Sequence, residues 1–283
     1  MLRNVFRRIE RFVLWWTLSE EEERDYNEWK NNKMKPSHGV QAPIVIPTDD
    51  EMMEATKRYQ YQYGKRHIAV SGATGCGKST FINAIRGLGN RDSDSGVRIA
   101  PTGVTETTRE FGCYPDPKTS DIWYDIPGAG TLSIPAEKYF NTQGLFVFDC
   151  IIILFDSRFT ETDIAILKRC AYFNIPYFLV RAKSALHIQN FISDLRDDED
   201  YEGWDESRLK MTAQSKFINE TWSNVTNNLA RAGLQPPQRV YCIDRSALIP
   251  CCRGEAGSTS ENVIDEIDLI KAIRELPLRK LKF

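Results

Sequence analysis

A chain of 283 residues, 41% hydrophobic and 27% charged, can bury a sizeable globular core. Its formal net charge of −2 gives no global pull toward nucleic acid or an anionic surface, so no nucleic-acid partner is expected and any basic patch must be local. No apolar run reaches the roughly 18–20 residues of a membrane-spanning helix, and the seven scattered cysteines form no Cys-x-x-Cys pair or Cys/His cluster, which reads as reduced thiols in a cytoplasmic protein.

The N-terminus has no small-residue cleavage site, and Leu2 stands where myristoylation requires glycine, so neither a secretory signal nor that lipid is expected. Leu2, Val5, Phe6, Ile9, Phe12, Val13 and Trp16 recur at helical spacing with Arg3, Arg7, Arg8 and Arg11 mostly on other faces, predicting an amphipathic helix. Such a helix packs its stripe on protein or lies on a membrane surface through residues 2–18, so peripheral membrane contact stands as the second reading. A Pro- and Gly-punctuated connector from Asn31 to about Asp49 precedes a short helix near Asp50–Tyr63.

From there strands and helices alternate. Strands are expected at His67–Ser71, Thr107–Tyr114, Asp121–Asp125, Cys150–Phe155, Pro176–Arg181 and Arg239–Asp244. Helices are expected at Ser79–Arg86, from Thr160 with Asp163 completing a capping box, at Leu186–Leu195, at Arg208–Ala232 before Gly233, and at Glu261–Leu276 before Pro277. The Ile-rich run CIIILF is of the kind buried on both faces of a parallel sheet. The expected fold is α/β, a mostly parallel doubly wound sheet with flanking helices and an N-terminal helical appendage, with 1–63 as the appendage and linker and 64–283 as the main domain. The carboxylate-rich stretch at about 194–207 reads as a solvated insertion.

Gly72-Ala73-Thr74-Gly75-Cys76-Gly77-Lys78-Ser79 matches the phosphate-binding loop G-x-x-x-x-G-K-[ST], between an apolar strand and a helix as the chemistry requires. Glycines let main-chain N–H groups converge on a phosphate, and the helix start directs its partial positive end there. Lys78 would reach the β- and γ-oxygens, Ser79 would ligate Mg²⁺, and Thr80 follows in the same turn. Asp125-Ile126-Pro127-Gly128 ends a strand and fits D-x-x-G, with Asp125 holding Mg²⁺ through water and the Gly128 N–H sensing the γ-phosphate. Between these motifs lie Thr102, Thr105, Thr107 and Thr108; Thr102 and Thr108 are the leading candidates to close over metal and γ-phosphate, and spacing does not choose between them. Lys78, Thr108 and Gly128 form the expected catalytic set, and Ser79, Thr108 and Asp125 the metal set. Ala129 stands where Ras-type GTPases keep a water-orienting glutamine, so slow hydrolysis is expected.

With these motifs the chain resembles the immunity-related (interferon-inducible) GTPases, especially their fungal relatives. The resemblance rests on GATGCGKSTFINAIRG from Gly72, TGVTETT from Thr102, DIPGAGT from Asp125, YFNTQGLFVFDCIIILFD from Tyr139, FTETDIAIL from Phe159 and YFLVRAKSALHI from Tyr177, covering roughly Tyr59–Phe283. It implies a Ras-like G domain of the P-loop NTPase class, GTP or GDP and Mg²⁺ as ligands, and nucleotide-dependent self-association, as a homodimer or larger assembly through the G domain. In the family's guanine-reading segment [NT]-K-x-D, this chain keeps Lys183 but carries Ala182 and Ala185, next to Arg181 and Ser184. Losing that carboxylate should cost about 2–4 kcal/mol of guanine preference, and Asp244 is the candidate substitute acceptor. The expected function is a slow GTPase switch or self-assembling GTPase; the alternatives are a pseudo-GTPase scaffold and, third, an ATPase.

Overall fold

Two runs with no polar side chain pointing at water organise the molecule. Arg66–Ser71 (β1) and Cys150–Phe155 (β4) are buried at every position, as strands covered on both faces must be. In the computed structural model, which describes residues 45–91, 96–103, 111–128, 135–157, 159–235, 237, 239–255 and 263–279, they lie side by side in a six-stranded sheet. The other strands are Gly112–Pro115 (β2), Asp121–Asp125 (β3), Tyr177–Arg181 (β5) and Val240–Cys242 (β6), in the order β2-β3-β1-β4-β5-β6. Every pairing is parallel except β2 with β3, so the edge strand alone runs the other way.

Successive β-residues face opposite sides, and the two faces have separate cores. Ala69, Ile151, Ile153 and Leu179 face one core, while Ile68, Val70, Ile152, Leu154 and Val180 face the other. The first is covered by Asp49–Arg58 (α1), Ala136–Thr142 (α3) and Glu161–Phe173 (α4), the second by Lys78–Ile85 (α2), Arg245–Arg253 (α7) and Glu266–Arg274 (α8). At about 1.5–3 kcal/mol per fully buried large aliphatic side chain, this central Ile-rich strand is a principal source of stability. Ser184–Arg196 (α5) and Glu206–Arg231 (α6) pair beyond β6; α6 buries Leu209, Ala213, Phe217, Thr221, Val225 and Leu229, a stripe recurring every fourth residue.

The local signals account for most boundaries. Thr48 and Glu51 close a capping box on α1, and Thr160 and Asp163 do the same on α4. The expected strand at 107–114 is shorter, because β2 begins at Gly112; positions 104–110 lie outside the described residues. Two helices are not anticipated by the sequence reading, α3 and α7; α7 carries Pro250 inside it, an ordinary helix breaker. The acidic stretch lies between two helices: α5 runs on to Arg196, one 3-10 turn spans Glu199–Tyr201, and Arg196 pairs with Glu206 across it at 2.5 Å. The compact unit bearing the sheet runs Ile44–Phe283, so α1 is built into it; the amphipathic stretch at 2–18 lies outside the described residues. Among the described residues no helix is long and apolar enough to cross a membrane. All seven cysteines are free thiols.

A polar network ties α1 to the N-terminal end of the sheet. His67 Nε2 lies 3.0 Å from the Gln62 nitrogen and 3.1 Å from the Gln62 carbonyl oxygen, Nδ1 lies 2.9 Å from the Tyr124 hydroxyl, and that hydroxyl donates to Tyr59 O at 2.9 Å. Burial pushes the His67 pKa below its ordinary value, over the opposing effect of Gln62 O, which accepts from a protonated Nε2. The unfolded chain therefore takes up a proton near pH 6.5 that the native state refuses. Stability from this group is complete above that pH and falls as pH drops toward the folded pKa. Denaturation midpoints should decline from pH 7.5 toward 5.5, by no more than ~1.4 kcal/mol per pH unit from this residue. A His67→Gln variant, though less stable, should lose that part of the slope; an unchanged slope would contradict the assignment.

Candidate functional site

The site forms where β1 runs out. Val70 pairs with Asp125 in the parallel register and the Ile126 N–H donates to Val70 O at 3.1 Å, so the D-x-x-G segment leaves the sheet beside the Gly72–Ser79 loop. Chain connections diverge to either side of β1 here, and in open α/β sheets ligands bind outside the carboxyl ends of strands at such a point.

The loop is dictated by glycine. A Cβ on Gly72 would stand 2.0 Å from the main-chain oxygen of Leu154 in β4, so only a bare Cα fits. Gly75 and Gly77 have open space around them but adopt φ of +81° and +102°, conformations that disfavour L side chains. Gly77 is the N-cap of α2, which points its first turn into the loop. Gly128 closes the other wall, where a Cβ would meet Thr74 Oγ1 at 2.7 Å and Lys78 Nζ at 3.2 Å. Cys76 faces inward, and burial pushes its thiol up to about 11, so it fills space rather than acting as a nucleophile.

Three polar side chains converge in this cradle. Lys78, buried to 7% exposure, donates to Gly72 O and Ala73 O at 3.1 and 3.2 Å, folding its ammonium over the loop. Ser79 donates to Asp125 Oδ2 at 2.5 Å. A hydroxyl and a carboxylate meeting at one corner form the hard oxygen donor set that Mg²⁺ takes, so these residues fit the ion. Thr80 is half-buried in the next position of α2. Thr102 is exposed on the segment after α2, and Thr105, Thr107, Thr108 and Ala129 lie outside the described residues.

The far side of the cradle comes from β4, β5 and β6. Lys183, at φ +60°, donates to Gly75 O at 3.1 Å and to Asp156 Oδ2 at 2.6 Å, bridging the β5 end to the phosphate loop. Partial burial raises the Asp156 pKa, but the hydrogen bond and charge of Lys183 outweigh it and leave the carboxyl below its ordinary range. Asp244 caps α7: Oδ1 accepts from Ser246 N and Oγ at 2.9 and 2.7 Å, while Oδ2 accepts from the Ala185 N–H at 3.2 Å. A carboxylate thus stands directly against the residue that lacks one. Arg181 turns toward Ser157 O at 3.0 Å and lies 5.5 Å from both the Phe155 and Phe217 ring centroids, so its guanidinium is enclosed by aromatic rings. Ser184 is fully buried and its N–H donates to Ile243 O, so it shapes the turn from within.

A family model described as Interferon-inducible GTPase (IIGP) matches residues 51–237, well over half of the chain. The chain belongs to the interferon-inducible GTPase family. It is 38% identical over 125 residues to T-cell-specific guanine nucleotide triphosphate-binding protein 2 of Mus musculus, a stretch covering 44% of this chain and 29% of that protein. To Interferon-gamma-inducible GTPase 10 of Mus musculus it is 31% identical over 169 residues, or 59% and 36% of the two chains. A solved structure, LeoA bacterial dynamin GTPase from ETEC, aligns with TM-score 0.48 at 15% identity over 81% of this chain and 39% of its own. The match thus spans about a third of the length of these curated relatives.

Within this interferon-inducible GTPase family member, the family run Tyr139–Asp156 gives no role to its two end residues. Asp156 follows β4 and holds Lys183. Tyr139, fully buried on α3, donates to Pro127 O at 2.5 Å and so grips the peptide before Gly128. Its signal would have been a buried-phenol position on a helix that the sequence reading did not assign. Tyr139→Phe removes that bond without changing shape, leaving Pro127 O unsatisfied at about 1–3 kcal/mol. The expected result is a lower denaturation midpoint with weakened discrimination between nucleoside tri- and diphosphates in paired titrations. Equal discrimination in the variant would remove the loop-positioning role from Tyr139.

Proposed function

We propose that the chain binds a guanosine triphosphate with Mg²⁺ between the Gly72–Ser79 loop and Asp125–Gly128 and hydrolyses the γ-phosphate slowly, as a nucleotide-dependent, self-assembling GTPase. The observation that carries this reading is the convergence of the Lys78 ammonium, the α2 N-terminus and the Ser79–Asp125 pair on one cradle. In this reading the loop amides and Lys78 grip and orient the β- and γ-phosphates, and the Gly128 N–H reports the γ-phosphate. Mg²⁺, held by Ser79 and by Asp125 through water, would neutralise charge developing on the phosphate oxygens. Thr102 or Thr108 closes over the γ-phosphate. Ala129 cannot hydrogen-bond the attacking water, so turnover by the isolated chain is slow and rises when a partner or a second copy supplies the missing group.

On the base side, Lys183 lays its stem beside the purine, and Asp244 accepts from guanine N1–H and the 2-amino group in place of a carboxylate at position 185. What supports this is the Asp244 carboxylate within 3.2 Å of the Ala185 amide and the Lys183 bridge to Gly75. Arg181 and Ser184 support the turn. Self-association through the G domain and surface contact of residues 2–18 with membrane belong to the same proposal.

Titrating GTP, ATP and XTP into wild type and Asp244→Asn separates the alternatives. Asparagine also caps helices, so α7 should survive. It should lower GTP affinity roughly 10- to 100-fold, the worth of one or two charged hydrogen bonds, and raise affinity for XTP, whose extra carbonyl accepts from the new amide. No change in base preference would remove Asp244 from the base site. Binding without phosphate release above a Lys78→Ala control would leave a scaffold instead of an enzyme.

A further inference from the structure

One stripe of α2 carries more than the phosphate loop needs. Ser79 and Asn83, with the C-cap Arg86, are spaced by four and three residues and so share a face of the helix. Ser79 reaches Asp125 at the metal corner. Asn83 is fully buried and spends its side-chain amide on one residue outside the helix: Oδ1 accepts from the Ala100 N–H at 2.8 Å, while Nδ2 donates to Ala100 O at 2.9 Å. Nδ2 also donates to Asn90 Oδ1 at 3.2 Å. Arg86, at 2% exposure, donates from Nη2 to Arg98 O at 3.0 Å and from Nε to Pro115 O at 3.1 Å.

These bonds give the 98–100 segment a direction. It passes Arg86 first and Asn83 next, running antiparallel to α2 toward the phosphate end of the helix. Two residues of extended chain reach about 6.6 Å, and the step from Asn83 back to Ser79 is a rise of about 6 Å. Thr102, exposed two residues past the clamp, is thus carried toward Ser79. The strand that follows starts at the same corner, for Gly112 pairs with Asp125, while Pro115, which Arg86 holds, pairs with Ile122. Ala100 is itself buried, so its two main-chain groups depend on Asn83 for their partners. A leucine would fill similar volume; an amide that meets both the N–H and the carbonyl of one residue fixes register as well as contact.

We propose that Asn83 is a positioning residue for the γ-phosphate reaction: by clamping Ala100 it presents the segment that follows to the Ser79–Asp125 corner. It thereby sets how much more tightly the chain holds a triphosphate than a diphosphate. The proposal rests on the nucleotide site proposed for the phosphate loop. Without the clamp the segment spends only part of its time in the competent arrangement, and triphosphate affinity falls by that fraction. A diphosphate, gripped by loop amides and Lys78, does not depend on it.

Paired calorimetric titrations of the full chain with magnesium-GDP and with a magnesium complex of a non-hydrolysable GTP analogue test this, alongside single-turnover hydrolysis of GTP. In Asn83→Ala the affinity for the analogue should fall roughly 5- to 100-fold, the worth of two neutral hydrogen bonds. The single-turnover rate should fall with it, and GDP affinity should stay close to wild type. Asn90→Ala removes only the third bond and should leave the ratio of the two affinities unchanged. Thermal unfolding of the nucleotide-free variants reports the fold. Should Asn83→Ala not fold, Asn83→Ser keeps a hydroxyl for one of the two Ala100 groups and decides in its place; failure of both to fold would make Asn83 structural and overturn the proposal. An Asn83 variant that binds both nucleotides as wild type does, or weakens both equally, overturns it while leaving the phosphate-loop site intact. A wild-type chain that binds neither nucleotide would remove that site first, and the role of Asn83 with it.

Discussion

Lys78→Ala should weaken binding of magnesium-GTP by two to four orders of magnitude while leaving the nucleotide-free fold nearly as stable as before. Among the described residues its ammonium bonds only two loop carbonyls, Gly72 O and Ala73 O. These are neutral acceptors, buried at Gly72 and part-buried at Ala73, and shortening the side chain opens space for water beside them. In the complex the same ammonium would meet β- and γ-phosphate oxygens, and charge-assisted hydrogen bonds are worth about 1.5–3 kcal/mol each. Losing two of them costs about 3–6 kcal/mol, a factor of roughly 10² to 10⁴ in affinity. Calorimetry checks the binding and thermal unfolding of the free chain checks the fold. Wild-type affinity in the variant would mean that the triphosphate sits elsewhere; a variant that fails to fold would mean that the lysine is structural.

The second large effect is on the fold itself. Gly72→Ala should destabilise the chain by about 2–6 kcal/mol, summing backbone strain and overpacking. The new Cβ would fall 2.0 Å from Leu154 O, and because both groups are main chain no rotamer change relieves the clash. β1 and β4 would have to separate, in the middle of the sheet and next to the pairing of Ser71 with Ile153. Gly75→Ala is the internal control, since its Cβ enters open space and only the φ of +81° resists, at about 1–2 kcal/mol. Urea denaturation should therefore rank the variants with Gly72→Ala clearly the less stable. The reverse order would mean that the loop, not the strand contact, demands glycine at position 72.

How much of this is legible before any coordinates depends on whether the information is local. The buried run CIIILF and the alternation that follows it foretell a parallel core because a strand covered on both faces has no polar position to spare. The phosphate loop is readable because its chemistry demands particular residues at fixed spacing, and Asp125 because it ends a strand. The capping box at Thr160 is readable for the same reason. Helix α7 is not, because Pro250 argues against it locally while Ala247, Leu248 and Cys252 hold it against the core. The partners that tune the site are not readable either. Tyr139 meets Pro127 across a dozen residues and Asp156 meets Lys183 across 27. Nothing in a sequence window encodes such pairings; they exist only once β4, β5 and β6 lie in register. Arg181 shows the converse, since adjacency to Lys183 suggests a base contact while folding turns its guanidinium between Phe155 and Phe217.

The central claim is that main-chain amides at the end of β1, with Lys78, Ser79 and Asp125, hold a triphosphate together with Mg²⁺. Its most direct test is calorimetric titration of the full chain with a non-hydrolysable GTP analogue, in the presence of Mg²⁺ and again after chelation. One saturable site per chain, weakened when the metal is removed and further weakened by Ser79→Ala, is the predicted result. A chain that gives no saturable signal with any magnesium triphosphate would contradict it.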